Sequence, residues 1–212
     1  MSIAEAASAK RSRIQQKNRG AILEAALQVF SVHGFRGSTI DQIAERAGMS
    51  KPNLLYYFPS KEAIYVSVLE RTLTEWLAPL EALDPAGDPL EEIGRYVAAK
   101  LRMAHRKPEA SRLFANEILS GAPAIAGFLT GPLKSLVDEK AAVLRGWMDA
   151  GALTPIDPHH LIFMIWAVTQ HYADFDIQVR AVLGHPAGDD RRFADAGRTV
   201  AAVLFEGLRP RP

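Results

Sequence analysis

Residues 48–62 read GMSKPNLLYYFPSKE, and no other stretch limits so tightly what this chain can build. Ser50 is a helix cap, and Lys51 and Pro52 fill a first turn, where the N–H that proline lacks would have no partner anyway. Pro59 pushes Phe58 out of helical geometry, so the helix that starts here ends near Tyr57. Ser60 then caps a second, long helix, KEAIYVSVLERTLTEWLAPLEAL, which Pro79 is expected to kink or end. A very short helix thus sits between a glycine turn at Gly48 and the start of a long helix.

Upstream, Ile22, Leu23, Ala26, Leu27 and Phe30 recur at the spacing of a buried helical face beginning near Lys17. Gly34 is expected to stop that helix in a left-handed conformation, leaving GFRGS as a loop. Thr39 and Gln42 form a T-x-x-Q capping box for a second helix that ends at Gly48. Downstream, DPAGDP at 84–89 is a loop, and helices are expected near 88–106, 108–120, 132–150, 157–183 and 189–208. Asp157 before Pro158 reads as a cap with proline in the first turn. No stretch alternates with period two for long enough to make a strand. The expected fold class is all-α, with about nine helices. The expected divisions are a mobile basic arm at 1–16, a three-helix unit at 17–61 and a larger helical domain at 62–212.

Charge separates the same regions. Residues 1–61 hold nine Lys or Arg against four acids, and the remainder holds sixteen against twenty. A basic first third on a slightly acidic remainder points to an anionic partner for the first third, although a solvated basic tail would look similar. With no cysteine, disulfides and cysteine-bound metals are excluded, and a reducing compartment is expected. The densest apolar run, HLIFMIWAV, is far shorter than the ~20 residues of a membrane span. The first twenty residues lack the apolar core of a secretory signal. No membrane association and a cytoplasmic location are therefore expected.

Three helices in the first unit, the second and third joined by GMS, match a helix-turn-helix. Leu54, Leu55 and Phe58 are placed to anchor the third helix. Thr39, Ser50, Lys51, Asn53, Tyr56 and Tyr57 offer hydroxyls, an amide and an ammonium suited to phosphate oxygens and base edges of double-stranded DNA. Lys61 stands at a helix start that also favours phosphate. Lys10, Arg11, Arg13 and Lys17 would add phosphate or minor-groove contacts. Half-buried core tyrosines would read the same at Tyr56 or Tyr57 taken singly.

The segment STIDQIAERAGMSKPNLLYYFPSKEAIYVSVL closely resembles the DNA-binding region of TetR-family transcriptional repressors. Their short third helix ends in YYHF or YYYF before a Ser/Asn-Lys-Glu helix start, and this chain has LYYFPSKE, with a proline inside that junction. The resemblance implies a homodimer that reads operator DNA with its N-terminal part and binds a small molecule with its C-terminal part. Within that family, WLAPL, ASRLF, LTGPLKSLVDEK and IDPHHLIFMIWAVTQHYADF resemble the regulators of pyrimidine utilisation. That implies uracil or thymine as effector, with DNA affinity falling when it binds, and no cofactor.

The residues give a ligand site its own outline. Phe163, Trp166, Ala167, Gln170, Asp174 and Ile177 fall on one helical stripe. A buried glutamine without a partner costs roughly 1–3 kcal/mol. Its amide sets a donor beside an acceptor, as uracil sets a carbonyl beside an N–H. Trp76 and Trp166 could sandwich a flat ring. Leu73, Leu77, Phe114 and Glu117 are further wall candidates by helical spacing. A glutamine bonded to a backbone carbonyl or a buried water, among core tryptophans, fits the same spacing.

His171 and Asp174, with His159 and His160 twelve residues earlier, match no recognised metal motif such as H-E-x-x-H, so no metal is expected. Val200, Val203, Leu204 and Leu208 form a seam suited to a dimer or to an internal core. An enzyme using Gln170, Asp174 and His171 on a planar substrate would lack a phosphate loop and a nucleophile elbow, and would leave SKPNLLYYFPSKE unexplained. A regulator answering to a drug or an acyl chain is the other alternative.

Overall fold

The computed structural model describes the backbone of residues 3–186 and 188–210 and side chains from Arg13 onward. Among the described residues the structure is helical throughout, without strands. It divides into two compact units, Met1–Thr72 and Leu73–Pro212.

The first unit contains α1 (Ile3–Gly37), α2 (Ile40–Arg46), α3 (Lys51–Tyr57) and the beginning of α4 (Lys61–Glu81). Helix α1 starts at Ile3, well before Lys17, because Ala, Glu, Lys, Arg and Gln dominate those residues and all favour helix. Gly34 breaks it at φ 67 and ψ 174, after which helix resumes to Gly37, so GFRGS is mostly a helical turn and not the expected loop. Ile22, Ala26 and Phe30 are nearly inaccessible and join Ile43, Leu54, Phe58, Ile64 and Leu69 in the buried set. Tyr65 of α4 packs edge-on to Phe30 at 5.1 Å and against Phe35 at 4.8 Å. That aromatic group carries the first unit past residue 61, to Thr72.

The second unit is built around α8 (Pro158–Asp174), which touches α5 (Pro89–Arg106), α6 (Pro108–Leu119), α7 (Lys134–Asp149) and α10 (Arg191–Leu208). A helical turn at Ala126–Phe128 and a π-turn at Leu129–Leu133 lead into α7. The core joins Leu80 and Leu83 to Ile93, Tyr96, Leu144, Leu161, Ile165 and Leu204. Each such side chain contributes roughly 1.5–3 kcal/mol on burial, whereas an exposed ion pair contributes about 0–1 kcal/mol, so packing decides this fold.

Three expectations change here. Pro79 does not end α4, which runs to Glu81. The segment 157–183 is two helices, α8 and α9 (Asp176–Leu183), parted at Phe175 with φ −111 and ψ 30. The seam also splits: Val200, Leu204 and Leu208 enter the core while Val203 stays exposed.

Candidate nucleic-acid interface and ligand site

The capping box predicted for α2 is present. Gln42 N donates to Thr39 Oγ1 at 3.2 Å, and Thr39 N donates to Gln42 Oε1 at 2.8 Å. Gly48 turns the chain at φ 67. Ser50 caps α3, accepting from Asn53 N at 3.4 Å. Leu54 and Phe58 bury the inner face of α3, which leaves Lys51, Asn53 and Tyr56 outward, Tyr56 at 72% exposure. Thr39, Ser50, Arg13 and Lys17 are exposed as well. The side chains of Lys10 and Arg11 lie outside the described residues.

The structure gives other work to several predicted contacts. Tyr57 is half-buried, and its hydroxyl accepts from Asn18 Nδ2 at 2.7 Å. Arg19 donates to Tyr57 O at 2.8 Å and lies 4.2 Å over the Phe58 ring, so α1 holds the last turn of α3. Lys61 donates to Phe35 O and Ser38 O at 2.8 and 2.9 Å and lies 4.5 Å over the Phe35 ring. Two of its three N–H groups are thereby committed to backbone instead of phosphate. Lys51 pairs with Asp41 at 2.9 Å, but both are well exposed, so the pair is weak and a phosphate can displace Asp41. Leu55, expected as an anchor, is 36% exposed and available to a thymine methyl. The roles of Asn18 and Arg19 are invisible in sequence, because nothing in their own helix pattern shows what they reach.

In the second unit, Leu73, Trp76 and Leu77 lie on one buried face of α4. Phe114 of α6 meets Trp76 edge-on at 5.5 Å and 69°. Lys100 of α5, only 5% exposed, places its ammonium 4.7 Å over the Trp76 ring. Asp174, half-buried at the end of α8, accepts a short hydrogen bond from the hydroxyl of Ser111, which is wholly buried. Burial pushes the Lys100 amine down to about 8, with the Asp174 charge opposing. Burial raises Asp174, opposed by the Ser111 bond and by Arg112, His171 and Lys100. Sequence reasoning misses Lys100 and Ser111, because a lysine and a serine on helices read as surface.

Trp76 and Trp166 have different ring neighbours, Phe114 and Phe163. Trp166 donates to Tyr96 Oη at 2.6 Å and tilts against Phe163 at 5.6 Å. It lines a separate cavity of about 460 Å³ with Leu133, Val137 and Phe163. The stripe carrying Gln170 runs along the flank of α8. Phe163, Ala167 and Ile177 are exposed, Gln170 is intermediate, and the face turned inward is Leu161, Ile162, Ile165, Thr169 and Ala173. Glu117 is buried but does not face a ligand space alone, since its Oε1 accepts from Ala124 N at 2.7 Å and clamps the turn after α6. His159 pairs with Asp138 at 2.9 Å, and His171 stacks on Phe175 at 5.0 Å. Among the described residues no three His, Asp or Glu side chains converge as a metal set would, and no helix is long and apolar enough to cross a membrane.

Comparison with known proteins follows the same division. Residues 22–68 match the family of bacterial regulatory proteins called tetR, and residues 69–211 match the YcdC-like protein C-terminal region. The chain is 54% identical over 202 residues to the HTH-type transcriptional regulator RutR of Escherichia coli O157:H7, covering 95% of each. It is 28% identical to the HTH-type transcriptional repressor NicS of Pseudomonas putida, covering 94% of this chain and 96% of that one. The crystal structure of the candidate transcriptional regulator SCO4942 from Streptomyces coelicolor superposes with a TM-score of 0.72 at 26% identity, covering 92% of this chain and 99% of that one. The ketosteroid regulator KstR2 of Mycobacterium tuberculosis, at 19% identity and a TM-score of 0.68 over 91% and 95% of the two chains, shares the fold.

Proposed function

The chain belongs to the TetR family of bacterial transcriptional regulators, and on that premise we propose that it works as a homodimer released from operator DNA by uracil or thymine. It is a DNA-binding regulator and not an enzyme, as its relatives are. The observation that carries DNA reading is α3. One face is locked by Leu54, Phe58 and the Asn18 and Arg19 bonds, and the other presents Lys51, Asn53 and Tyr56. Two copies in a dimer would enter successive major grooves about 34–36 Å apart, or a multiple of that, on a roughly palindromic site. Exposed apolar side chains on α8, α9 and α10, and at the α8–α9 break, including Met164, Phe175, Ile177, Val182 and Val203, support self-association.

The pyrimidine effector is supported by the resemblance of the C-terminal half to regulators of pyrimidine utilisation and by the 54% identity to RutR. Effector control is linkage. Uracil shifts the equilibrium toward a DNA-incompetent state only to the extent that it binds that state better. Helix α4 carries Tyr65 of the first unit and Trp76 of the second, so a ligand that moves Trp76 acts on a helix the first unit also packs.

The test is fluorescence anisotropy on palindromic DNA selected from a random pool, titrated with uracil, thymine, uridine and a fatty acid. Uracil and thymine are expected to release the DNA. Release by the fatty acid alone would move the protein to the acyl-responsive class and leave its DNA binding intact.

A further inference from the structure

We propose that Asn18 is a positioning residue for base reading: acting through Tyr57, it fixes the ring of Tyr56 in the pose that meets the DNA. This rests on the reading of α3 as the helix that reads DNA. Two consecutive residues of α1 grip one residue of α3. Arg19 holds the backbone, donating to Tyr57 O at 2.8 Å. Asn18 holds the side chain, its Nδ2 donating to the Tyr57 hydroxyl at 2.7 Å. Phe58, only 2% exposed, seats the residue that follows. With the backbone secured by Arg19 and Phe58, the rotamer of Tyr57 is what Asn18 decides.

Tyr57 in turn is the wall for Tyr56. Adjacent residues on a helix do not ordinarily face each other. Here the two rings meet edge-on, their centroids 5.2 Å apart at 87°. Tyr56 is largely exposed, and among the described residues no other ring packs on it. An exposed side chain without a wall moves among its staggered rotamers, and docking must first take that freedom away. A hydroxyl that swings also reaches several base edges and discriminates poorly among them. A fixed Tyr57 ring removes both defects before DNA arrives. Helix α3 cannot hold that wall alone, since seven residues are too few to sustain a helix without tertiary support. Among the described residues Asn53 makes no hydrogen bond to either tyrosine, its backbone N–H going to the Ser50 cap. The relay therefore acts on Tyr56 and not on everything α3 presents.

Selection of sites from random DNA by the full-length protein, with each selected pool sequenced, tests this in Asn18→Ala, Tyr56→Ala and the double variant. Tyr56→Ala marks the base position that Tyr56 reads. At that position Asn18→Ala should reduce discrimination about twofold to tenfold and leave the other positions as in wild type. Its salt dependence on the selected duplex should stay within about half a unit of the wild-type slope, because no phosphate contact is removed. In the Tyr56→Ala background, Asn18→Ala should change nothing further. Tyr57→Phe breaks the same bond from the other side and keeps the ring, so it should reproduce the Asn18→Ala profile, and it carries the test if thermal melts show Asn18→Ala to be unfolded. A wild-type profile in these variants, an equal blurring of every position, or a further change on the Tyr56→Ala background would overturn the relay. A Tyr56→Ala profile like that of wild type would remove Tyr56 from base reading, and the relay with it, while DNA binding stood. A wild type that enriches no sequence would remove the DNA-reading assignment itself.

Discussion

Lys100 makes the stability of the protein depend on pH. Its amine falls from an ordinary 10.5 to about 8. Between those values the unfolded chain binds more protons than the folded one, so stability rises with pH across that window. Below about 8 the buried charge is a burden of ~3 kcal/mol. Lys100→Met should therefore stabilise the protein at pH 7 by an amount of that order and abolish the rise between pH 8 and 10.5 relative to wild type. Urea titrations at about pH 7, 9 and 10 measure both. A variant less stable than wild type at neutral pH would show that the ammonium is better satisfied than its contacts indicate. On the DNA side, Tyr56 packs edge-on to Tyr57 yet stays largely exposed, while the Tyr57 hydroxyl is tied to Asn18. Asn53→Ala or Tyr56→Phe should change the preference among sites in a selection from random DNA. Tyr57→Phe should cost about 1 kcal/mol of stability, and uniform weakening by the first two would count against base readout. The sequence displays both tyrosines side by side but not that distinction, because the partner of Tyr57 lies thirty-nine residues away.

At the level of elements, two glycines of α1 predict opposite outcomes. Gly34 sits at φ 67, a region L residues rarely adopt, while Gly20 lies inside regular helix and an added Cβ there would meet nothing within 4 Å. Gly20→Ala should stabilise by about 0.5–1 kcal/mol. Gly34→Ala should destabilise by about 1–3 kcal/mol through backbone strain alone. Chemical denaturation midpoints decide it, and equal shifts of one sign would refute the contrast. Helix boundaries marked by caps are legible in sequence: Thr39 with Gln42, Ser50, Asp88 and Asp157 all act as caps where the residue types place them. The break at Phe175 is not legible. No glycine or proline marks it, and the geometry there is set by what Asp174 and Phe175 touch, Ser111 and His171. Glu117 is similar, since its bond to Ala124 N belongs to a turn whose conformation no local pattern shows.

For the whole molecule, the uneven charge of the sequence becomes a prediction about salt. Arg13 and Lys17 extend into solvent from α1, with Lys10 and Arg11 preceding them in the chain. Replacing all four by glutamine should weaken binding to every DNA sequence alike. It should also flatten the salt dependence by roughly one unit of slope for each phosphate left without its cation. An unchanged slope would remove the arm from the interface. The all-α class and the helix-turn-helix are readable because periodicity and punctuation are local. The surroundings of Trp76 are half readable. The sequence raises Trp76, Phe114 and Asp174 as candidates, while Lys100 and Ser111 are seen beside them only once other helices bring them there. The bond from the Trp166 N–H to Tyr96 is invisible in sequence for the same reason.

The anchoring of Lys61 gives a chemist a built-in reference. An amine held by two carbonyls and a ring is a poor nucleophile, whereas Lys17 and Lys51 stand open to reagent. In an acylation footprint Lys61 should stay dim with or without operator, while Lys17 and Lys51 should label brightly alone and fade on the duplex. The protein thus carries its own blank beside the very surface whose protection is to be measured.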